Sequence, residues 1–312
     1  MTPRSILCPV DFSAHSRRAL ECAVGLASLH DARLIVHTTI DPLLAQAAAI
    51  TTGSDYLRDT RADLRAFVAV APHGVSWAPH PRLIVTIGDA ADQILDVAAF
   101  HAVDLIVMGT QGLGGVRRMV FGSTTEGVLR RSTVPVLAVP LEGEPLVTLD
   151  PKGPRMQQRP VLAAVDLRAG ARVLAHAAAD AAAAAGAPLL LVHVVHPLET
   201  TERWRRYRDS ATHLHVATAQ AAVEGLAAEL PLTVEPLVVT GHVADALVQT
   251  AESRNAGLIV LGIGSGEDGA RRPGSTAYRM LCLATVPILA LPPPAAFETE
   301  QTSVLRFKEV VA

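Results

Sequence analysis

The sequence predicts an α/β protein made of two tandem domains, each built on an open, doubly wound, parallel five-stranded sheet. Short and nearly continuous apolar runs suit strands that are buried on both faces. Ala- and Leu-rich stretches with helical spacing separate these runs, as in βαβ units. In addition, the chain repeats itself after about 155 residues, which predicts one domain present twice.

Five apolar runs in each half are the predicted strands. Those of the first half are 6–10, 34–36, 83–87, 105–108 and 134–139. Those of the second half are 161–165, 189–195, 237–239, 258–261 and 286–291. In such sheets ligands bind beyond the carboxyl ends of the strands, so the chemistry is expected there.

The repeat sets the domain boundaries. Its anchor pairs are Asp11 with Asp166, His37 with His193, Gly88 with Gly241, Gly109 with Gly262, and Pro135 with Pro287. They predict domains at 1–140 and 160–294. The intervening 141–159 is rich in Pro and Gly and is predicted as a linker. The tail 295–312 is predicted to be either a short helix or disordered.

Composition excludes several classes of protein. The net charge is -3 and no half of the chain carries a basic stripe, which argues against a nucleic-acid partner. Lys152 and Lys308 are the only lysines, and neither lies in a predicted core. This argues against P-loop NTPases, protein kinases and Schiff-base enzymes.

The same reasoning predicts a cytoplasmic protein without a membrane partner. The longest apolar run, 181–195, contains Gly186 and Pro188 and is interpreted as a helix end, a turn and a strand. No signal peptide is predicted, because the first apolar stretch stops at Asp11. The three cysteines form no CxxC pair and are predicted as small buried hydrophobes in a reducing compartment.

A glycine-rich loop after the fourth strand is the candidate phosphate site. Glycine permits positive φ and a close approach of the backbone to a ligand. Ser123 and Glu126 form a capping-box pattern that predicts a helix start, which can hold an anion. The loop residues that carry this hypothesis are Gly109, Gly112, Gly122 and Ser123, with Arg117 and Arg118 adding positive charge.

The spacing G-x2-G-x9-G-S resembles the nucleotide motif of the universal stress protein family. Further matching segments are PVDFS at 9–13, VHT at 36–38, GD at 88–89, VMG at 107–109 and PVLAVP at 135–140. The resemblance covers both halves of the chain. It implies a Rossmann-like fold of the adenine nucleotide alpha hydrolase type, with the two domains packed as a pseudo-dimer or the chains as a homodimer.

The resemblance also implies a site for ATP, ADP or AMP, with Mg²⁺ accompanying ATP. Asp11 would accept hydrogen bonds from the ribose, while Pro9 and Val10 would line the adenine pocket. Thr38 would offer backbone groups to the base, and Met108 would pack near base or sugar. The residues expected to hold the phosphates are Gly109, Gly112, Gly122, Ser123 and Thr124. Two alternatives stay open: Asp11 as a helix cap, and His37 as a hydrogen-bonded core residue.

The second domain departs from the motif. Ser265 stands where the second glycine belongs, the loop is one residue shorter, and two acidic residues enter it. Tyr278 also replaces the glutamate of the capping box. A weaker second site is therefore expected at Asp166, Val194, Gly262, Gly274, Ser275 and Thr276.

The expected function is a stress-response protein that binds ATP and signals to an unidentified protein partner through that occupancy. Two alternatives remain: a slow ATPase or autokinase, and an interaction module whose sites are empty. No catalytic residue is predicted, because no hydrolase signature stands out. No metal site is predicted either, because His213 and His215 would lie on different faces of a helix.

Overall fold

The computed structural model describes residues 2–51, 56–70, 80–111, 122–150, 152–168, 170–197, 203, 205–263 and 275–293. The chain forms two compact units. One contains Pro3–Met156 and the other contains Gln157–Pro294.

The first unit is a parallel sheet covered by helices. Its strands, in the order in which they lie side by side, are β5 (Val136–Val139), β4 (Leu105–Gly109), β1 (Ser5–Pro9), β2 (Arg33–Ile40) and β3 (Arg82–Ile87). Its helices are α1 (Ala14–His30), α2 (Pro42–Thr51), α3 (Tyr56–Ala69), α4 (Ala90–Phe100) and α5 (Ser123–Arg131). Every residue of β1 and β4 is buried, as expected for central strands with helices on both faces.

The second unit repeats this order of strands. Its strands, side by side, are β10 (Val234–Thr240), β9 (Leu189–Val195), β8 (Val161–Ala164), β11 (Leu258–Gly262) and β12 (Ile288–Leu291). Its helices are α6 (Ala171–Ala185), α7 (Arg205–Ala228), α8 (Val243–Ser253) and α9 (Ser275–Leu283). The predicted fold class, a doubly wound parallel sheet of five strands in each half, is confirmed.

All ten predicted strands are present, but some bounds differ. The largest extension is in β2, which continues through the polar residues His37, Thr38 and Thr39. The predicted strand ended at residue 36, because the prediction was based on continuous runs of apolar residues. Two cysteines, Cys8 and Cys22, are buried as predicted, whereas Cys282 is partly exposed.

Part of the segment 141–159 is folded onto the first unit. Strands β6 (Val147–Asp150) and β7 (Gly153–Met156) form an antiparallel hairpin, and this hairpin packs against α1. The contact is tight at Gly25, where an added Cβ would lie 2.5 Å from Cγ1 of Val147. The tail beyond residue 294 lies outside the described residues.

No helix in the described part of the chain is long and apolar enough to cross a membrane.

Two glycines inside helices provide a matched test of the hairpin contact. Gly225 of α7 has open space around it, whereas Gly25 of α1 faces Val147. We expect Gly225→Ala to stabilise the protein by about 0.5–1 kcal/mol through helix propensity. Gly25→Ala should instead destabilise it by about 1–3 kcal/mol, since the buried Val147 has to move.

Urea unfolding measures both effects, and hydrogen exchange of residues 147–156 localises the second one. The double variant Gly25→Ala/Val147→Ala removes the 2.5 Å contact with Cγ1, although the Cβ of residue 147 stays at 3.0 Å, and it should partly restore slow exchange in the hairpin. Equal stabilisation by both alanines would contradict the close packing.

Candidate functional site

The candidate site of the first unit lies at the carboxyl ends of β1 and β4. These two strands are neighbours in the sheet, with Ile6 opposite Leu105 and Leu7 opposite Ile106. The chain continues from β1 to one side of the sheet and from β4 to the other. The ends of β1 and β4 therefore flank the topological switch point, where open α/β sheets bind ligands.

The Asp11 carboxylate is held in a tight turn between β1 and α1. Its Oδ1 accepts hydrogen bonds from Oγ of Ser13 at 2.6 Å and from the Ser13 amide at 3.1 Å. Ser13 is the N-cap of α1, and its Oγ accepts from the Ser16 amide. The cap is therefore Ser13, and Asp11, which is half-buried, supports it.

The turn residue Phe12 adopts a left-handed conformation with φ of 65°, which is costly for a bulky side chain. Its ring packs edge-on against Phe67 of α3, with the ring centroids 5.4 Å apart. The guanidinium of Arg17 covers the same Phe67 ring at 3.6 Å. These contacts help to hold the turn in its strained form.

At Gly109, β4 lies very close to the start of α1. A Cβ at this position would lie 3.0 Å from the backbone carbon and oxygen of His15, so a larger residue would displace the start of the helix. The sequence argument that Gly109 supplies positive φ is wrong, because its φ lies outside that region. The close approach of the two backbones explains the glycine instead.

The loop after β4 is closed at its base by hydrogen bonds. The Gly122 amide donates to the Thr110 carbonyl at 3.2 Å. Oγ1 of Thr125, in the first turn of α5, donates to the Gly109 carbonyl at 3.0 Å. The start of α5 is therefore fixed at the end of β4. Gly112, Arg117 and Arg118 lie outside the described residues.

Helix α5 begins at Ser123, as predicted, but the expected capping box does not form. The N-cap is Gly122, and it makes no side-chain cap hydrogen bond. Glu126 pairs with Arg130 one turn later. The first amides of an α-helix have no partner within the helix and carry the positive end of its dipole, so this end suits an anion.

Strand β2 extends past the end of β1. The ladder between them ends with Pro9 opposite His37, whereas β2 and β3 stay paired to Ile40 opposite Ile87. The Val10 amide still donates to the His37 carbonyl at 2.8 Å. Beyond that bond, the edge of β2 at Thr38 continues past the end of β1, where backbone groups can face a ligand.

His37 is fully buried. Its Nε2 hydrogen-bonds with Oγ1 of Thr86 at 2.8 Å. Burial lowers the pKa of His37 to about 3. The structure supports the core alternative for this histidine.

His15 was missed by sequence reasoning. It lies beside Gly109, and its buried Nδ1 has no hydrogen-bond partner among the described residues. Burial lowers the pKa of His15, while the charge of Asp11 acts against this shift. Thr125 was also missed. Both lie just after a matched motif, in the first turn of the helix that follows it.

In the second unit, the turn after β8 has the same backbone conformation as the turn after β1, but the side chains around it differ. Leu167 has a φ of 58° like Phe12, and the Arg168 amide donates to Oδ1 of Asp166 at 3.0 Å. However, Asp166 is exposed, and the N-cap Gly170 of α6 forms no side-chain cap bond. The serine network that supports Asp11 has no counterpart here.

The strand register corrects one equivalence between the domains. Ala164 lies opposite Val192, as Pro9 lies opposite His37. His193 therefore takes the position of Thr38, and not that of His37, which means that the expected Val194 is one residue too far along. Nδ1 of His193 hydrogen-bonds with the Val165 carbonyl at 2.8 Å, at the edge that Thr38 occupies in the first unit.

The remaining residues expected at the second site are only partly described. Gly262 ends β11, and an added Cβ there would meet the side chain of Leu174 at 3.3 Å. Ser275 and Thr276 begin α9. Gly274 and Ser265 lie outside the described residues.

Comparison with known proteins gives consistent matches. The model of the universal stress protein family matches residues 3–140 and 158–292. A universal stress protein of Thermus aquaticus is 33% identical over 147 residues, covering 44% of this chain and 98% of that protein. One from Mycolicibacterium smegmatis is 25% identical over 310 residues, covering 94% of this chain and 98% of that protein.

Solved structures show the same fold. A universal stress protein from Archaeoglobus fulgidus has a TM-score of 0.57 at 20% identity and covers 94% of this chain and 97% of its own. A functionally unknown protein from Pseudomonas aeruginosa has a TM-score of 0.60 at 19% identity, covering 94% of both chains.

The burial of His37 predicts a pH dependence of stability. Below pH 6.5 the unfolded chain takes up a proton at this residue, which the folded chain excludes until about pH 3. The stability that the neutral His37 contributes is therefore lost as the pH falls. Between pH 7 and pH 5, the free energy of unfolding should fall in both proteins. We expect the fall to be about 2 kcal/mol smaller in His37→Gln than in the unmodified protein.

Urea unfolding at the two pH values measures this difference. His215→Gln is the control, because His215 is exposed on α7. The same loss of stability in His37→Gln and in the unmodified protein would contradict the assignment.

Proposed function

Because this chain belongs to the universal stress protein family, we propose that its first domain binds an adenine nucleotide, and that the occupancy of this site regulates a stress response. The observation that carries the proposal is the convergence of Asp11, Gly109 and the start of α5 at the switch point. The Asp11 carboxylate can accept hydrogen bonds from hydroxyl groups, and the amides at the start of α5 can donate to an anion. Both therefore lie at one edge of the sheet.

The phosphates bind at the start of α5 and along the loop after β4. Ser123 and Thr124 contribute backbone amides of the first helical turn, and the N-cap Gly122, whose own amide bonds to the Thr110 carbonyl, leaves that turn without a side-chain cap. A helix start of this kind holds phosphate through its amides and its dipole. This arrangement replaces the lysine of a P-loop.

The ribose binds at Asp11, whose carboxylate accepts hydrogen bonds from hydroxyl groups. The Ser13 hydroxyl already donates to the same carboxylate, which supports this role. Adenine lies along the edge of β2 at Thr38, next to Val10, and the buried Met108 borders the base or the sugar.

Mg²⁺ accompanies ATP when that nucleotide is bound. Among the described residues, no group of three or more His, Cys, Asp or Glu side chains could hold a metal ion. Mg²⁺ is commonly bound through nucleotide phosphates and waters, with few protein ligands. The ion would therefore arrive with the phosphates.

We expect the site in the first domain to bind the nucleotide more tightly than the site in the second domain. In the second domain Asp166 is exposed, and the ring of His193 is bonded to the Val165 carbonyl at the edge where adenine would lie. One nucleotide per chain is therefore the expected stoichiometry at moderate ligand concentration.

A charge at the start of α5 tests the phosphate site. The exposed Ser123 is the first residue of this helix, where a carboxylate suits the helix dipole but repels phosphate. We expect Ser123→Asp to weaken ATP binding by about tenfold or more, while Ser123→Asn, of similar size and without charge, keeps most of the affinity. Calorimetric titration of nucleotide-free protein measures both affinities and the stoichiometry.

The proposed function would be overturned if the unmodified protein bound none of ATP, ADP and AMP and released no nucleotide on denaturation. Equal ATP affinities in the Ser123→Asp and Ser123→Asn variants would mean that the phosphates do not bind at the start of α5. A ligand at 100 times its dissociation constant should also stabilise the protein by about 2.7 kcal/mol, which gives an independent measurement.

The ribose contact is tested by comparing ATP with 2′,3′-dideoxy-ATP. Hydrogen bonds to a charged acceptor are worth about 1.5–3 kcal/mol, so ATP should bind at least about tenfold more tightly. Asp11→Ala should abolish this preference. Ser13→Ala removes a hydrogen bond to the same carboxylate but keeps the charge, and it should retain the preference. A preference that survives in Asp11→Ala would assign the ribose to another residue.

A further inference from the structure

Two histidines meet at the carboxyl edge of the second domain's sheet. His196 directly follows β9, and His242 directly precedes α8 as its N-cap residue. Their ring centroids lie 5.3 Å apart, and the ring planes are inclined by 78°. Both side chains are exposed. The sequence places these residues 46 positions apart, so the pairing is visible only in the fold.

The first domain has aspartates at both positions. The amide of Gly88 donates to the carbonyl of Ile40, as the amide of Gly241 donates to that of Val195. The residues that follow are Asp41 and Asp89 in the first domain and His196 and His242 in the second.

The two aspartates have structural roles. Oδ1 of Asp89 accepts from the Asp92 amide at 3.0 Å and so caps α4. Oδ1 of Asp41 accepts from the Leu43 amide at 2.7 Å. His242 makes no side-chain cap bond to α8. The cap is therefore lost in the second domain, and the histidine does not replace it.

The tautomer of His196 suits metal binding. Its Nδ1 lies 3.0 Å from the Pro197 carbonyl, and since a carbonyl can only accept, Nδ1 donates the hydrogen. The lone pair is then on Nε2. Histidines that bind metals commonly donate their other ring N–H to a carbonyl or carboxylate in this way.

The spacing of the rings also suits one metal ion between them. With metal–nitrogen bonds of about 2.0–2.1 Å and a tetrahedral angle, two imidazole centroids bound to one ion lie about 5 Å apart. The observed separation is close to this value. Imidazole pairs favour Zn²⁺, Cu²⁺ and Ni²⁺ over Mg²⁺ and Ca²⁺.

We propose that His196 and His242 form a two-histidine site for a divalent transition-metal ion at the carboxyl edge of the second domain's sheet. The described residues provide no third His, Cys, Asp or Glu ligand in a cluster, so water fills the other coordination positions. The site does not depend on nucleotide binding by the first domain.

Titration of the full-length, tag-free protein with Zn²⁺ and Cu²⁺ tests the proposal. We expect His196→Asn and His242→Asn each to weaken binding of the ion by about tenfold or more. Asparagine is a good N-cap, so His242→Asn should keep α8 and the fold intact. His213→Asn, which changes an exposed histidine of α7, is the matched control and should bind as the unmodified protein does.

Electron paramagnetic resonance of the Cu²⁺ complex counts the nitrogen ligands. Two nitrogens in the unmodified protein and one in each single variant are expected. If the double variant His196→Asn/His242→Asn binds Zn²⁺ and Cu²⁺ as tightly as the unmodified protein, or if the nitrogen count does not change, the proposal is overturned.

Discussion

The contact between Gly109 and the backbone of His15 is the constraint on which the candidate site depends. It brings the end of β4 against the start of α1 with no room for a Cβ. Because Thr125 bonds to the Gly109 carbonyl, the start of α5 is held at the same place. The Asp11 turn leads into the same start of α1. The turn and the start of α5 therefore lie at one edge of the sheet because the two backbones approach so closely.

The two domains share this frame but differ in what it presents. The strained turn after β1 recurs, with left-handed Phe12 in one domain and Leu167 in the other. The turn therefore forms with either side chain, aromatic or aliphatic. The differences lie in the polar residues at the edge: Asp11 is braced by Ser13, whereas Asp166 is exposed. The duplicated fold preserves the scaffold and allows the chemistry at the edge to diverge.

The fold was predictable because buried parallel strands leave a direct signal in the sequence, a short apolar run. The same criterion cut β2 short, since it cannot recognise buried polar residues such as His37, whose burial depends on Thr86 from another strand. The hairpin at 147–156 was also missed, because its apolar residues are few and its packing partner, Gly25, is distant in sequence. The glycine and aspartate positions of the site were predictable from motifs, but the contacts that brace them were not.

The pairing of His196 with His242 is a further difference between the two domains at the carboxyl edge. The stability of each domain comes mainly from buried apolar strands and helix faces, where removing a single large side chain typically costs about 2–5 kcal/mol. A cap at the sheet edge contributes about 1 kcal/mol, so exchanging Asp89 for His242 at the equivalent position leaves the core unaffected. Residues at the carboxyl edge can therefore change in pairs at little cost to folding. A distinct role for the second domain should therefore depend on the side chains that differ between the two copies at this edge.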